Sequence, residues 1–238
     1  MKVDILAVGI HPDDIELSCS GTLLKHIHLG YKVGLCDLTK GELGSRGTPE
    51  LRIEEAENAM KSMQAQFRFN LEMEDGFMAI NKENTLKLIE IIRYCQPRIV
   101  LANAISDRHP DHSKAAKFIR EACFFSGLIK IETSFNGSPQ KAWRPEAVYH
   151  YIQDRNIPAD FVVDISDFID KKMELIMEFK SQFFAEDMTG PQTPISSKSF
   201  LDFIRAKNKS YGRDIGADYA EAFTVNRDIG VKDLFDLL

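Results

Sequence analysis

Two short polar clusters carry the residue types from which a hydrolytic site can be made: His11-Pro12-Asp13-Asp14 and His109-Pro110-Asp111-His112. Both begin His-Pro-Asp, and both follow a short apolar run that reads as a strand, Val3 to Ile10 in one case and Arg98 to Ala102 in the other. Three ligands drawn from imidazole and carboxylate, with one coordination position left open, are the pattern of a catalytic divalent metal. His11, Asp14 and His112 supply that number. Zinc is the expected ion, and ferrous iron accepts the same donors. A metal of this kind activates water and polarises a carbonyl, which is what amide hydrolysis needs. Asp13, adjacent to a ligand, is positioned by sequence to take the proton of the attacking water. A protonated His109 would stabilise the oxyanion and protonate the leaving amine, with Asp111 orienting its ring. Taken singly, any of these residues is more simply a solvated turn residue, and Asp13-Asp14 alone would serve as a helix cap. The recurrence of the cluster at two strand ends favours a site.

The elements that must position these clusters follow from the spacing of apolar residues. After the first strand, Ser18 to Leu29 has helical spacing of Leu23, Leu24 and Ile27, closed by Gly30, and Lys32 to Leu38 is a second strand. The loop Thr39 to Gly47 is glycine-rich but lacks the Gly-Lys-Ser/Thr ending of a phosphate-binding loop, and reads equally as a solvated turn or as a substrate-facing loop. Thr48 as cap and Pro49 as first residue open a helix to about Ser62 that carries Arg52. A third strand is expected near Phe67 to Leu71, a helix from Asn84 to Tyr94, and the fourth strand at Arg98 to Ala102. The helix after the second cluster places Ala115, Ile119, Ala122 and Cys123 on one face.

Ile129 to Arg144 loses periodicity and reads as a long surface connection. Ala147 to Ile152 and Phe161 to Ile165 are two further expected strands. Ser166 would cap a helix to Phe183, Glu186 to Lys198 would be a loop, and Ser199 to Tyr211 a last helix. The tail to Leu238 is a closing region of no assigned structure. Alternating strands and helices predict an α/β, Rossmann-like fold, a mostly parallel sheet with helices on both faces, in a single domain over 1–238. Right-handed crossovers would bring the carboxyl ends of the first and fourth strands to one rim, the usual ligand crevice of such sheets. No Gly-x-Gly-x-x-Gly follows the first strand, which argues against a common dinucleotide site.

With 30 Lys and Arg against 36 Asp and Glu, the net charge is −6. That balance disfavours nucleic acid and anionic membrane as partners and points to a small soluble substrate. The four cysteines, Cys19, Cys36, Cys95 and Cys123, form no Cys-x-x-Cys pair and read as core residues of a reducing compartment, so a cytoplasmic location is expected. Arg52 and Arg108 are candidates to hold substrate hydroxyls or carboxylates. For Arg52, an intrahelical pair with Glu55 is an equal alternative. His26 and His28 read as surface residues and Trp143 as packing.

The two clusters resemble the signatures of the PIG-L/LmbE-type N-acetylglucosaminyl deacetylases. The likeness extends to Gly21-Thr22, Glu50-Leu51-Arg52 with Glu55-Ala56, Ser106-Asp107-Arg108, and Phe161 to Ile165. Within that family the chain is most similar to the bacillithiol-biosynthesis deacetylases, which act on N-acetylglucosaminyl malate. The resemblance implies an LmbE-like fold, zinc held by His11, Asp14 and His112, Asp13 as base, His109 with Asp111 as acid and orienter, and a homo-oligomer. It also marks a departure. Members of the family place a tyrosine hydroxyl where this chain has Phe200. Another N-acetylated sugar, such as a chitooligosaccharide, remains an alternative substrate. A non-catalytic sugar- or nucleotide-binding module is the alternative of another class, and it would have no use for Asp13.

Overall fold

The computed structural model describes residues 1–183 and 190–237. Strand β1 (Ile5–Gly9) is followed by α1 (Asp14–His28), β2 (Val33–Thr39), α2 (Pro49–Met63), β3 (Arg68–Met73), α3 (Lys82–Cys95), β4 (Ile99–Ala102) and α4 (Pro110–Ser126). Next come a small hairpin, β5 (Ser134–Phe135) and β6 (Ser138–Pro139), and then β7 (Ala147–Tyr151) and β8 (Phe161–Asp164). A 3-10 turn at Ser166–Phe168 leads into α5 (Ile169–Ile176), followed by α6 (Lys198–Arg213) and β9 (Ala220–Thr224).

Seven strands form one sheet in the order β3-β2-β1-β4-β7-β9-β8. The pairs from β3 through β7 are parallel, and β9 runs antiparallel to both of its neighbours. Because side chains alternate along a strand, β1 feeds two cores. Leu6 and Val8 pack with Leu88, Ile92, Phe118 and Ile119 of α3 and α4. Ile5 and Ala7 pack with Ile15, Cys19 and Leu23 of α1 and Leu175 of α5. The strand order reverses direction between β1 and β4, the switch point at which open α/β sheets bind ligands. No helix among the described residues is long and apolar enough to cross a membrane.

The expected mostly parallel sheet with helices on both faces is the observed one, and its details depart from expectation in three places. Helix α1 starts at Asp14 rather than Ser18, because the turn through Pro12 and Asp13 delivers the chain directly into helix. The regular helix expected from Ser166 to Phe183 is confined to Ile169–Ile176, since Ser166 Oγ donates to Asp164 Oδ1 instead of capping a helix. Strand β9, in the tail to which sequence assigns no structure, is wholly buried. Its polar member Glu221 hid it, because a strand covered on both faces shows no alternation and a carboxylate inside it reads as surface. Glu221 accepts from Gly21 N at 3.0 Å, Thr22 N at 2.7 Å and Lys172 Nζ at 2.6 Å. A Cβ at Gly21 would stand 2.7 Å from Ile165 Cδ1, so only glycine lets α1 approach closely enough for this contact. The 186–189 part of the expected Glu186 to Lys198 loop lies outside the described residues.

All four cysteines are free and buried, as core residues should be. Burial pushes their thiols up, Cys95 to about 12. Thiolate is the reactive species, so an aromatic disulfide reagent should label none of them in the native protein and all four after denaturation.

Candidate active site

Gly9 ends β1 at a turn so tight that a Cβ there would lie 3.1 Å from Asp14 Cβ and 3.2 Å from His11 O. The turn is tied to neighbouring strand ends. Thr39 at the end of β2 donates to Ile10 O through its N–H at 3.0 Å and its hydroxyl at 2.8 Å, and Ile10 N donates to Asn103 Oδ1 beyond β4 at 3.0 Å. Asp13 then adopts φ 115° and ψ −25°, a strained conformation for a residue with a Cβ. Backbone strain of this kind persists where surrounding contacts hold it, and it gathers at functional sites.

Asp14, at the first position of α1, sits between two imidazoles. His11 Nδ1 lies 3.6 Å from Asp14 Oδ2, and His112 Nε2 lies 3.2 Å from Asp14 Oδ1. Three further donors fix the carboxylate: His11 N, Asn103 Nδ2 and Gln153 Nε2, each at 3.0 Å. The outer ring nitrogens have carboxylate partners of their own. His11 Nε2 is 3.1 Å from Asp75 Oδ1, and His112 Nδ1 is 2.5 Å from Asp107 Oδ2. An ionised carboxylate only accepts, so each outer nitrogen carries a proton, and the inner nitrogens face Asp14 across a gap that favours a proton or a metal cation.

His109 completes the group. Its ring centroid is 4.9 Å from that of His11 and 5.1 Å from that of His112. Pro110 is the first residue of α4, where its missing N–H costs nothing. His109 is therefore the helix cap, and its Nδ1 accepts from Asp111 N at 3.3 Å. The orienting contact expected from the Asp111 side chain is thus made by its backbone N–H. The Asp111 carboxylate turns the other way, accepting from Gly76 N at 3.0 Å and lying 3.7 Å from His11 Nε2.

Of the two expected substrate arginines, Arg52 is buried, with both terminal nitrogens engaged and Nε without a hydrogen-bond partner. It bonds Pro12 O at 2.7 Å, Gly41 O at 3.1 Å and Asp13 Oδ2 at 3.1 Å, so its contacts hold the strained turn and the candidate base. The alternative pair with Glu55 is absent, because Glu55 accepts from Ser181 N and Oγ, each at 2.7 Å. Arg108 is exposed at the cleft margin and pairs with Asp154 at 2.5 Å.

The electrostatics separate the two adjacent aspartates. Burial raises the Asp13 carboxyl well above the usual carboxylate range, against the pull of Arg52. Burial would raise Asp14 too, but His112 and His11 hold it far below that range. One is a proton acceptor suited to neutral solution, the other a permanent anion. Burial alone would lower both His11 and His112, yet Asp111 and Asp75 raise the first and Asp14 and Asp107 raise the second. This pocket favours positive charge. Two imidazoles with carboxylate-anchored outer nitrogens beside a carboxylate are a donor set that fits a divalent transition metal. The ring nitrogens of His11, His109 and His112 also lie within 4.8 Å of one another, as do the donor atoms of His11, Asp75 and Asp111.

The group opens into a cleft of about 290 Å³. Its far wall is α6 and the segment before it, with Phe200, Ile204, Lys207, Asn208 and Tyr211. Phe200 stacks on Phe183 at 6.1 Å and brings no hydroxyl to the cleft. Sequence reading missed Asp75, Asn103 and Gln153. Asn103 and Gln153 follow the ends of β4 and β7, a position that marks candidates in this class of sheet. Asp75 follows the outer strand β3, and only the tertiary structure brings it to His11.

Comparison with known proteins agrees with the geometry. The family model described as GlcNAc-PI de-N-acetylase (PIG-L) matches residues 6–123, which contain both clusters. The conserved protein TT1542 from Thermus thermophilus superposes with a TM-score of 0.84 at 34% identity, over 96% of this chain and 97% of that one. A diacetylchitobiose deacetylase from Thermococcus kodakarensis is 26% identical over 227 residues, 91% of this chain and 80% of the relative. A 4-oxalmesaconate hydratase from Pseudomonas putida is 25% identical over 187 residues, 72% of this chain and 70% of the relative.

Proposed function

Because the chain belongs to the GlcNAc-PI de-N-acetylase (PIG-L) family of deacetylases, we propose that it is a metal-dependent amide hydrolase that removes the acetyl group from an N-acetylglucosaminyl substrate. The observation that carries this reading is the convergence on one cleft of His11, Asp14 and His112 with Asp13 and His109. His11, Asp14 and His112 would hold the metal, with zinc or ferrous iron compatible with the donors. Bound there, the metal would supply Lewis acidity toward the acetyl carbonyl and acidify water.

The remaining work falls to the chain's own groups. Asp13, kept basic by burial and aimed by Arg52, takes a proton from water as the water oxygen bonds to the acetyl carbon. The carbonyl electron pair moves to oxygen and returns as the carbon–nitrogen bond breaks. His109 in its cationic form gives its proton to the departing nitrogen. Burial lowers the His109 pKa, which makes that cation a ready donor. The proton held by Asp13 balances the one His109 gives up, and the proton left on the new carboxyl passes to the amine or to solvent, so acetate and the amine leave with the protein restored.

For the substrate, we infer N-acetylglucosaminyl malate. The resemblance to bacillithiol-biosynthesis deacetylases supports this, and Arg108 on the margin, 51% exposed in its side chain, offers a guanidinium to a carboxylate. A chitooligosaccharide is the second reading, favoured by the diacetylchitobiose deacetylase relative. Acetate release from N-acetylglucosaminyl malate, diacetylchitobiose and N-acetylglucosamine separates them. A kcat/KM for the malate glycoside at least about tenfold above the others, ~1.4 kcal/mol of discrimination, is expected. Equal or reversed values would transfer the assignment to the oligosaccharide.

A further inference from the structure

Among the hydrogen-bond donors in the cleft that have no role in the steps above, one stands against the proposed metal ligands. Gln153, just beyond β7, is buried, and its carboxamide orientation is fixed from both sides. Oε1 accepts from Asn103 Nδ2 at 2.9 Å and from Ala104 N at 3.1 Å, so the nitrogen faces the reaction centre. There Nε2 lies 3.0 Å from Asp14 Oδ1 and 3.5 Å from His112 Nε2. A carboxamide nitrogen carries two hydrogens. Asp14 takes one, and the second faces His112 Nε2 in a long contact at 3.5 Å, through a lone pair that a bound metal would take up. With His112 so engaged, the second hydrogen would have no other acceptor recorded among the described residues.

The other donors lining the cleft are placed differently. Arg52 gives its terminal nitrogens to Pro12, Gly41 and Asp13 and keeps a buried, unpartnered Nε that carries the cation's charge, Arg108 pairs with Asp154, and Lys207 Nζ donates to Ile152 O at 3.3 Å. Asn208 Nδ2, on α6, is buried without a hydrogen-bond partner and so makes no hydrogen bond to His11, Asp14 or His112. Phe200 has nothing to donate. Gln153 alone among these is a neutral donor in direct contact with both Asp14 and His112.

We propose, on the basis of the deacetylase reading, that Gln153 is a catalytic residue whose Nε2–H donates to the acetamide oxygen as the carbonyl electron pair moves onto it. A neutral donor held by Asn103 and Ala104 needs no reorganisation when charge develops, the condition under which such donors contribute most. It forms no bond with the substrate and transfers no proton. Its first hydrogen keeps Asp14 in place while its second meets the oxyanion.

The test uses Gln153→Met, which keeps the volume without the amide, and Gln153→Glu, which keeps the shape without the N–H. Acetate release should show kcat lowered about 10²- to 10³-fold in both, the cost of removing one oxyanion donor. A second readout needs no turnover: binding of the amino sugar carrying a methylphosphonamide in place of acetamide, whose anionic tetrahedral oxygens occupy the oxyanion position. Affinity for that analogue should fall by a similar factor, with affinity for the deacetylated amine and zinc content near wild-type. A fall in zinc content parallel to kcat would overturn the proposal, because Gln153 would then serve only to place Asp14. Analogue and amine affinities that fall equally, or a kcat near wild-type in either folded variant, would overturn it as well. Wild-type protein that binds the analogue but releases no acetate from any acetamido sugar would refute the deacetylase reading instead.

Discussion

Replacing Asp13 with Asn is expected to lower kcat for acetate release by about 10²- to 10⁴-fold, the usual contribution of a positioned general base, without loss of the metal. The carboxamide matches the carboxylate in shape and still accepts from Arg52 Nη2, which lies 3.1 Å from Asp13 Oδ2. Asparagine also tolerates positive φ better than most residues, so the turn at φ 115° is retained. Asp14, with its own donors from His11, Asn103 and Gln153, is untouched. Steady-state kinetics together with zinc content checks this. A non-catalytic binding module would show the same ligand affinity in both proteins, and a variant with wild-type kcat would remove Asp13 from the mechanism.

Replacing Arg68 with Met is expected to destabilise the fold by about 3–5 kcal/mol or more, the range for leaving a buried charge uncompensated. Arg68 serves two buried carboxylates. It donates to Asp37 through Nε at 2.6 Å and Nη2 at 2.8 Å, and to Glu16 through Nη1 at 2.6 Å. Those contacts join α1, β2 and β3 directly beneath the turn that carries Asp13 and Asp14. Removing the guanidinium leaves Glu16 and Asp37 facing each other in the core. Glu16→Gln should cost far less, since Arg68 and Asp37 remain a balanced pair. Denaturant unfolding of both variants measures the difference. A larger loss in Glu16→Gln than in Arg68→Met would contradict this account of the cluster. The same contrast bears on Glu16, which stands within the first polar stretch although its contacts are structural.

What could be read from the sequence follows from how local the determinants are. Helix α2 was legible because Thr48 and Pro49 act on their own first turn, where Thr48 Oγ1 accepts from Leu51 N at 3.2 Å. The meeting of the two His-Pro-Asp clusters was legible because β1 and β4 are short apolar runs followed at once by charge, and a parallel sheet brings such ends to one rim. Strand β9 was not legible, because Glu221 is satisfied by Lys172 and by the backbone of α1, partners 49 and about 200 residues away. Asp75 was not legible for the same reason, being 64 residues from His11. The tasks of Arg52 and Asp111 depended on orientation. Sequence places both near the site, but only the packed turn shows Arg52 holding Asp13 and the Asp111 carboxylate turned away from His109.

The most direct measurement of the central claim is acetate release from an acetamido sugar by the zinc-loaded protein, before and after chelation and after zinc is restored. Stoichiometric acetate and free amine, lost on chelation and recovered with zinc or ferrous iron, are predicted. Folded, zinc-loaded protein that yields no acetate from N-acetylglucosaminyl malate, diacetylchitobiose or N-acetylglucosamine would contradict the account, as would release unaffected by removing the metal.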